Sequence, residues 1–196
     1  MSYKFDRLQV LVIDDNQHMR TLMGVVLQAY GVKTVFEARD AEQGWRILAK
    51  NPCDIIFVDW AMAGMTGLEF TRKVRTAPDS ADPFAAIVML TGHTSIERMN
   101  AARDAGANEF LAKPVSSQTI LERLISVIDN PRPFVRTRNY FGPCRRRGDI
   151  PFAGWERRAQ EAALLFAPRR SHMERERGHS GQETKSESNG SPANVA

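Results

Sequence analysis

Five short apolar runs recur through the first 130 positions, and a stretch of helical spacing follows each one. The runs fall at 8–13, 32–38, 54–58, 85–90 and 108–112, and most are rich in β-branched residues. The first, through Val10, Leu11, Val12 and Ile13, is almost wholly apolar, the pattern of a strand buried on both faces. Local signals mark the intervening helices. The first follows Asn16 and is closed by Gly31, and Asp40 caps a second that runs to about Lys50. A third lies around 68–75. A fourth is capped by Ser95 or Thr94 and closed by Gly106, and a fifth runs from Ser116 or Ser117 to Asp129. Strands alternating with helices in this way predict an α/β, doubly wound, five-stranded parallel sheet with helices on both faces and right-handed crossovers. About 120 residues are enough to bury a core of that kind.

The strands end on polar groups: Asp14 and Asp15 after the first, Asp59 after the third, Thr91 after the fourth and Lys113 after the fifth. In an open parallel sheet the carboxyl ends of the strands share one rim, and ligands bind there where the strand order reverses. For the order 2-1-3-4-5 that point lies between the first and third strands, so Asp14, Asp15 and Asp59 are expected to converge. Carboxylates held so close repel one another. A hard cation with oxygen ligands, Mg²⁺, relieves that repulsion. With Lys113 and the Thr91 hydroxyl nearby, the set suits a phosphoryl group, which Asp59 would accept as a carboxylate nucleophile. Each feature alone has an ordinary explanation: an Asp pair caps a helix, an Asp after a strand turns the chain, Thr91 ends a strand and Lys113 sits in solvent. The reading rests on their succession along the chain.

Charge divides the molecule. Residues 1–130 hold 14 basic and 16 acidic residues, whereas 131–196 hold 13 basic and 7 acidic, so the overall excess of +4 comes from the back third. Apolar periodicity stops near Ile128, and Asp129-Asn130-Pro131-Arg132-Pro133 breaks the chain. The expected divisions are a folded domain over 1–130, a largely irregular basic extension containing aromatics over 131–170, and a tail over 171–196 too poor in apolar residues to order itself. Two cysteines, Cys53 and Cys144, make neither a disulfide scaffold nor a four-cysteine zinc site. No apolar run approaches the roughly 18 residues that cross a bilayer, and the first residues lack a secretory apolar core. A reduced, cytoplasmic protein without a membrane partner is expected. No phosphate-binding glycine loop of the ATP or NAD type is present.

Val12-Ile13-Asp14-Asp15-Asn16, Val58-Asp59 with Met62, Gly64 and Gly67-Leu68-Glu69, Leu90-Thr91-Gly92, and Phe110 to Lys113-Pro114 together resemble the receiver domain of bacterial two-component response regulators. The resemblance covers about residues 7–130 and implies a flavodoxin-like, CheY-like fold. It implies that Asp59 is phosphorylated by a histidine kinase or a histidine phosphotransfer protein. It makes Asp15 a direct Mg²⁺ ligand, Asp14 an acidic partner acting partly through water, and the Ala61 carbonyl a further ligand. Thr91 becomes the hydroxyl that swings toward the phosphoryl group, Lys113 the lysine that pairs with it, and Phe110 a switching aromatic. The proline matching Pro114 commonly follows a cis peptide bond in the family. His18 falls on the surface where kinases dock in this family. The sequence departs from the pattern at Trp60, which is bulky; at Ala61, which offers no side chain to a hydrolytic water; and at Ala63, where proline is common. His93 stands where it could assist that water in place of residue 61.

The implied output is contact with a downstream protein rather than turnover. An enzyme of the acid-phosphatase or dehalogenase kind would want a second acid near position 61, where alanine stands. The extension resembles arginine-rich segments that follow some single-domain receivers, with room for one amphipathic helix over 156–166. Arg136, Arg138 and Arg145-Arg146-Arg147 read first as a solvated basic tail, then as a protein-docking segment. The alternative function is a regulator that binds DNA, or a cyclic dinucleotide through Arg146-Arg147-Gly148-Asp149, by way of this extension. A nucleic-acid partner is not the expectation.

Overall fold

The computed structural model describes residues 3–92, 95–145 and 163–165. Strands β1 (Gln9–Ile13), β2 (Thr34–Ala38), β3 (Ile55–Asp59), β4 (Ala86–Thr91) and β5 (Glu109–Ala112) form one parallel sheet in the order 2-1-3-4-5. Helices α1 (Gln17–Ala29), α2 (Ala41–Lys50), α3 (Gly67–Thr76), α4 (Ile96–Ala105) and α5 (Ser117–Asp129) connect and follow the strands. This is the doubly wound architecture the alternation predicts. Because successive side chains of a strand point to opposite faces, each run feeds two cores. Val10, Val12, Phe57 and Val88 pack with Met23 and Leu27 of α1 and Ile120 and Leu124 of α5. Leu11, Ile13, Val58 and Met89 pack on the other face with Leu48 of α2, Phe70 and Val74 of α3 and Ala102 of α4. Full burial of side chains this size stabilises the fold by about 1.5–3 kcal/mol each before ordering costs.

Side-chain caps fix where the helices begin. The Asn16 side chain accepts from the amides of His18 and Met19, Asp40 from Gln43, Ser95 from Arg98 and Ser116 from Thr119. Ser95 and Ser116 are thus the caps among the residue pairs the sequence allowed. Gly106 closes α4 at φ 100°, a left-handed conformation that favours glycine.

The largely irregular extension expected over 131–170 is corrected at 134–143, which form a paired hairpin. β6 (Phe134–Thr137) and β7 (Tyr140–Pro143) pair antiparallel across the two-residue connection Arg138-Asn139, and β8 (Ala163–Leu165) joins the free edge of β6. The amphipathic helix drawn over 156–166 is corrected at 163–165, which are strand; its other residues lie outside the described ones. Antiparallel pairing with the edge of β6 supplies backbone partners for 163–165 in place of helical ones. Phe134 and Phe141 meet Phe84, with ring centroids 5.0–5.5 Å apart, and so bind the hairpin to the turn before β4. No helix among the described residues is long and apolar enough to cross a membrane.

Candidate functional site

Strand register assembles the site. Ile13 pairs with Val58, so the residues that follow, Asp14 and Asp59, come side by side. Asp59 pairs with Leu90, which sets Thr91 one step further up the rim, and Thr91 pairs with Ala112, which sets Lys113 one step beyond that. Ligand atoms of Asp14, Asp15 and Asp59 all lie within 4.8 Å of one another. Asp14 and Asp59 are buried and Asp15 is exposed. Lys113 Nζ bridges the two buried acids, 2.7 Å from Asp14 Oδ2 and 2.7 Å from Asp59 Oδ1. The other Asp14 oxygen accepts from the Asn16 amide at 2.9 Å. The cis peptide bond at Lys113-Pro114 agrees with the resemblance.

Burial pushes the Asp59 carboxyl above the usual carboxylate range; Lys113 opposes the rise, and the negative charges of Asp14 and Asp15 add to it. For Lys113, burial acts to lower the ammonium, but its bonds to Asp14 and Asp59 outweigh that and raise it. With all groups ionised, three carboxylates face one ammonium, an excess of two negative charges on hard oxygen donors. That donor set fits a divalent cation.

Thr91 is buried at the end of β4, and its carbonyl accepts from the Lys113 amide at 2.8 Å. Ala61 begins the exposed side of the loop between β3 and α3. That loop is drawn tightly back: the Gly67 amide donates to the Trp60 carbonyl at 3.1 Å, and a Cβ at Gly67 would stand 2.2 Å from the Asp59 carbonyl oxygen. Thr66 and Glu69 close a reciprocal capping box at the start of α3. Trp60 packs against the core cluster on the α2–α4 side of the sheet, with the Arg98 guanidinium 5.3 Å from its ring. Phe110 is half-buried, with the Arg103 guanidinium 5.7 Å from its ring. His18 is exposed on the first turn of α1. His93 and the Arg146-to-Asp149 pattern lie outside the described residues.

Sequence reasoning missed Arg20. Its guanidinium donates to the carbonyls of Asp14 at 2.8 Å and Asp15 at 3.2 Å, and so holds the acidic turn in place. The available signal was its position four residues after the capping Asn16, on the first turn of a helix beginning at the acidic rim.

A model of the response regulator receiver domain matches residues 10–125. A probable chemotaxis protein CheY of Rhizobium etli is 34% identical over 109 residues, which cover 56% of this chain and 83% of that protein. A chemotaxis protein CheY homolog of Campylobacter jejuni is 32% identical over 122 residues, covering 62% of this chain and 92% of the relative. Among solved structures, the chemotaxis response regulator CheY4 of Vibrio cholerae superposes with a TM-score of 0.57 at 33% identity, over 61% of this chain and 98% of its own.

Proposed function

Since the chain belongs to the response regulator receiver domain family, we propose that it is the phosphoacceptor of a two-component phosphorelay, with Asp59 as the acceptor. The observation that carries this is the Lys113 bridge within the acidic cluster: one cation already touches the carboxylate that would react. A carboxylate oxygen of Asp59 attacks the phosphorus of a phosphohistidine on a histidine kinase or histidine phosphotransfer protein. The P–O bond forms, the P–N bond breaks, and the imidazole keeps the electron pair. Lys113 stays within reach of the developing charge, and the Thr91 hydroxyl donates to a phosphoryl oxygen. Asp14, Asp15, Asp59 and the Ala61 carbonyl would hold Mg²⁺, which supplies charge neutralisation for the phosphoryl oxygens when bound. Arg20, through the carbonyls of Asp14 and Asp15, is a positioning residue.

Phosphate on Asp59 draws Thr91 inward, Phe110 follows, and the face of α4, β5 and α5 changes shape for a downstream protein. The output is contact, not turnover. Incubation with a radiolabelled phosphohistidine donor and Mg²⁺ should label the protein, and chelation or Asp59→Asn should abolish an acid-stable, base-labile label. A label that persists on the Asn variant would overturn the assignment.

A further inference from the structure

Residues 131–145 leave α5 and return across the ends of α3 and α4 remote from Asp59. Three contacts join the hairpin to the end of α4. The Tyr140 hydroxyl lies 3.4 Å from the Arg103 carbonyl, and 2.8 Å from the Pro143 carbonyl on its own strand. Arg145 pairs with Asp104 at 2.8 Å and stacks on the Tyr140 ring at 4.8 Å. At Gly142 a Cβ would come within 3.0 Å of the Gly106 Cα, so the hairpin backbone rests directly on the glycine that closes the helix.

The other end of α4 approaches the acceptor, where Arg98 stacks on Trp60, the residue after Asp59. At the hairpin end, the Arg103 side chain lies over Phe110. α4 is thinly anchored along its length: it buries only Ala102 and Ala105, while Ile96 is 65% exposed. α3 by contrast buries Phe70, Val74 and Arg75. A helix with so little apolar surface on the sheet takes its position from the contacts at its ends.

We propose that the β6–β7 hairpin is an internal ligand of the unphosphorylated receiver, and that phosphorylation of Asp59 releases it through α4. The inference rests on the phosphoacceptor reading and adds the extension as a responding element. Hairpin docking and phosphorylation then favour different positions of α4. By linkage, whatever factor phosphorylation removes from docking, undocking returns as affinity at the acceptor site.

The test uses the full chain with beryllofluoride and Mg²⁺ as the acyl-phosphate probe. Bound fluoride is followed by ¹⁹F resonance, and amide hydrogen exchange is read across 134–143. Occupancy should accelerate exchange there by about tenfold or more, with no acceleration in β1 and β3, because only a sub-global opening is involved. Asp59→Asn should show neither fluoride binding nor acceleration. The paired surface variants Tyr140→Phe and Arg145→Ala should exchange faster at 134–143 without probe and bind beryllofluoride about fivefold more tightly. An occupied site with unchanged or slower hairpin exchange overturns the proposal. So does a loosened hairpin with unchanged beryllofluoride affinity. Absence of a bound-fluoride resonance in the unaltered chain would remove the phosphoacceptor reading as well, so the two failures are distinguishable.

Discussion

At the scale of single residues, the chemistry of the rim works against the stability of the fold. Burial raises the Asp59 carboxyl, Asp14 and Asp15 add to the rise, and Lys113 only partly offsets it. The folded chain therefore binds the Asp59 proton more tightly than the unfolded chain does. Stability falls as pH climbs from the ordinary carboxylate value of 3.8 through the higher folded value, and the penalty is complete above it. Asp59→Asn carries no such charge. Its melting temperature should exceed that of the unaltered protein near neutral pH, and the difference should shrink as pH falls toward and below 3.8. Paired thermal melts across that range check this. An Asn variant that melts lower near neutral pH would mean that the Lys113–Asp59 pair outweighs the burial of the charge. Lys113 also shows how a role can be half legible. Its place at a strand end marked it for the site, but its bridge to Asp14 as well as Asp59 depends on a register that no local pattern reveals.

At the scale of elements, the β3–α3 connection decides where the acceptor sits. The Thr66–Glu69 box fixes the first turn of α3, and Gly67 lets that turn touch the Asp59 carbonyl. In Gly67→Ala the added methyl would stand 2.2 Å from the Asp59 backbone oxygen and 3.0 Å from the Met89 sulfur, closer than a Cβ can sit beside backbone. The end of β3 must shift, and displacements near 1 Å at a reacting group cost about 10²-fold in rate. Phosphoryl transfer to Gly67→Ala should slow on that order, with about 1–3 kcal/mol lost in urea unfolding. Unchanged transfer kinetics would show that the loop does not position the acceptor. The same contrast explains what the sequence discloses. Strands buried on both faces announce themselves as apolar runs, and the polar residues that end them mark the rim. The hairpin does not, because Phe134, Val135 and Phe141 sit in a short segment that also carries Arg136, Arg138 and Arg145 and so resembles a charged tail. Its inward face acquires meaning only against Phe84 and Arg75, which come from distant positions in the chain. Arg20 escapes notice for a related reason: it acts on backbone carbonyls, which carry no sequence signature.

At the scale of the whole molecule, the hairpin and the sheet meet at one buried cation. The Arg75 guanidinium donates to the carbonyls of Pro83, Ala85 and Gly106 and to Asn108 Oδ1, tying the starts of β4 and β5 together beneath the Phe134 ring. Burial pushes its pKa down to about 9, which leaves it protonated at neutral pH. Lysine in its place keeps the charge but not the planar fork, so Arg75→Lys strands buried carbonyls and should cost about 2–3 kcal/mol. Removing a large core ring such as Phe57 costs about 3–5 kcal/mol, because the sheet cannot unfold around it piecemeal. Phe134 is nearly as deeply buried, but under the proposed docking equilibrium the hairpin leaves while the five-stranded sheet stays folded. The global loss in Phe134→Ala is therefore capped at the free energy of docking. Urea unfolding should show a smaller loss for Phe134→Ala than for Phe57→Ala. The double variant Phe134→Ala with Arg75→Lys should lose less than the sum of its singles, since an undocked hairpin lets water reach the groups that lysine leaves unmatched. Equal losses for the two phenylalanines in a single transition would instead make the hairpin a part of the core, with no separate docking equilibrium for phosphorylation to shift.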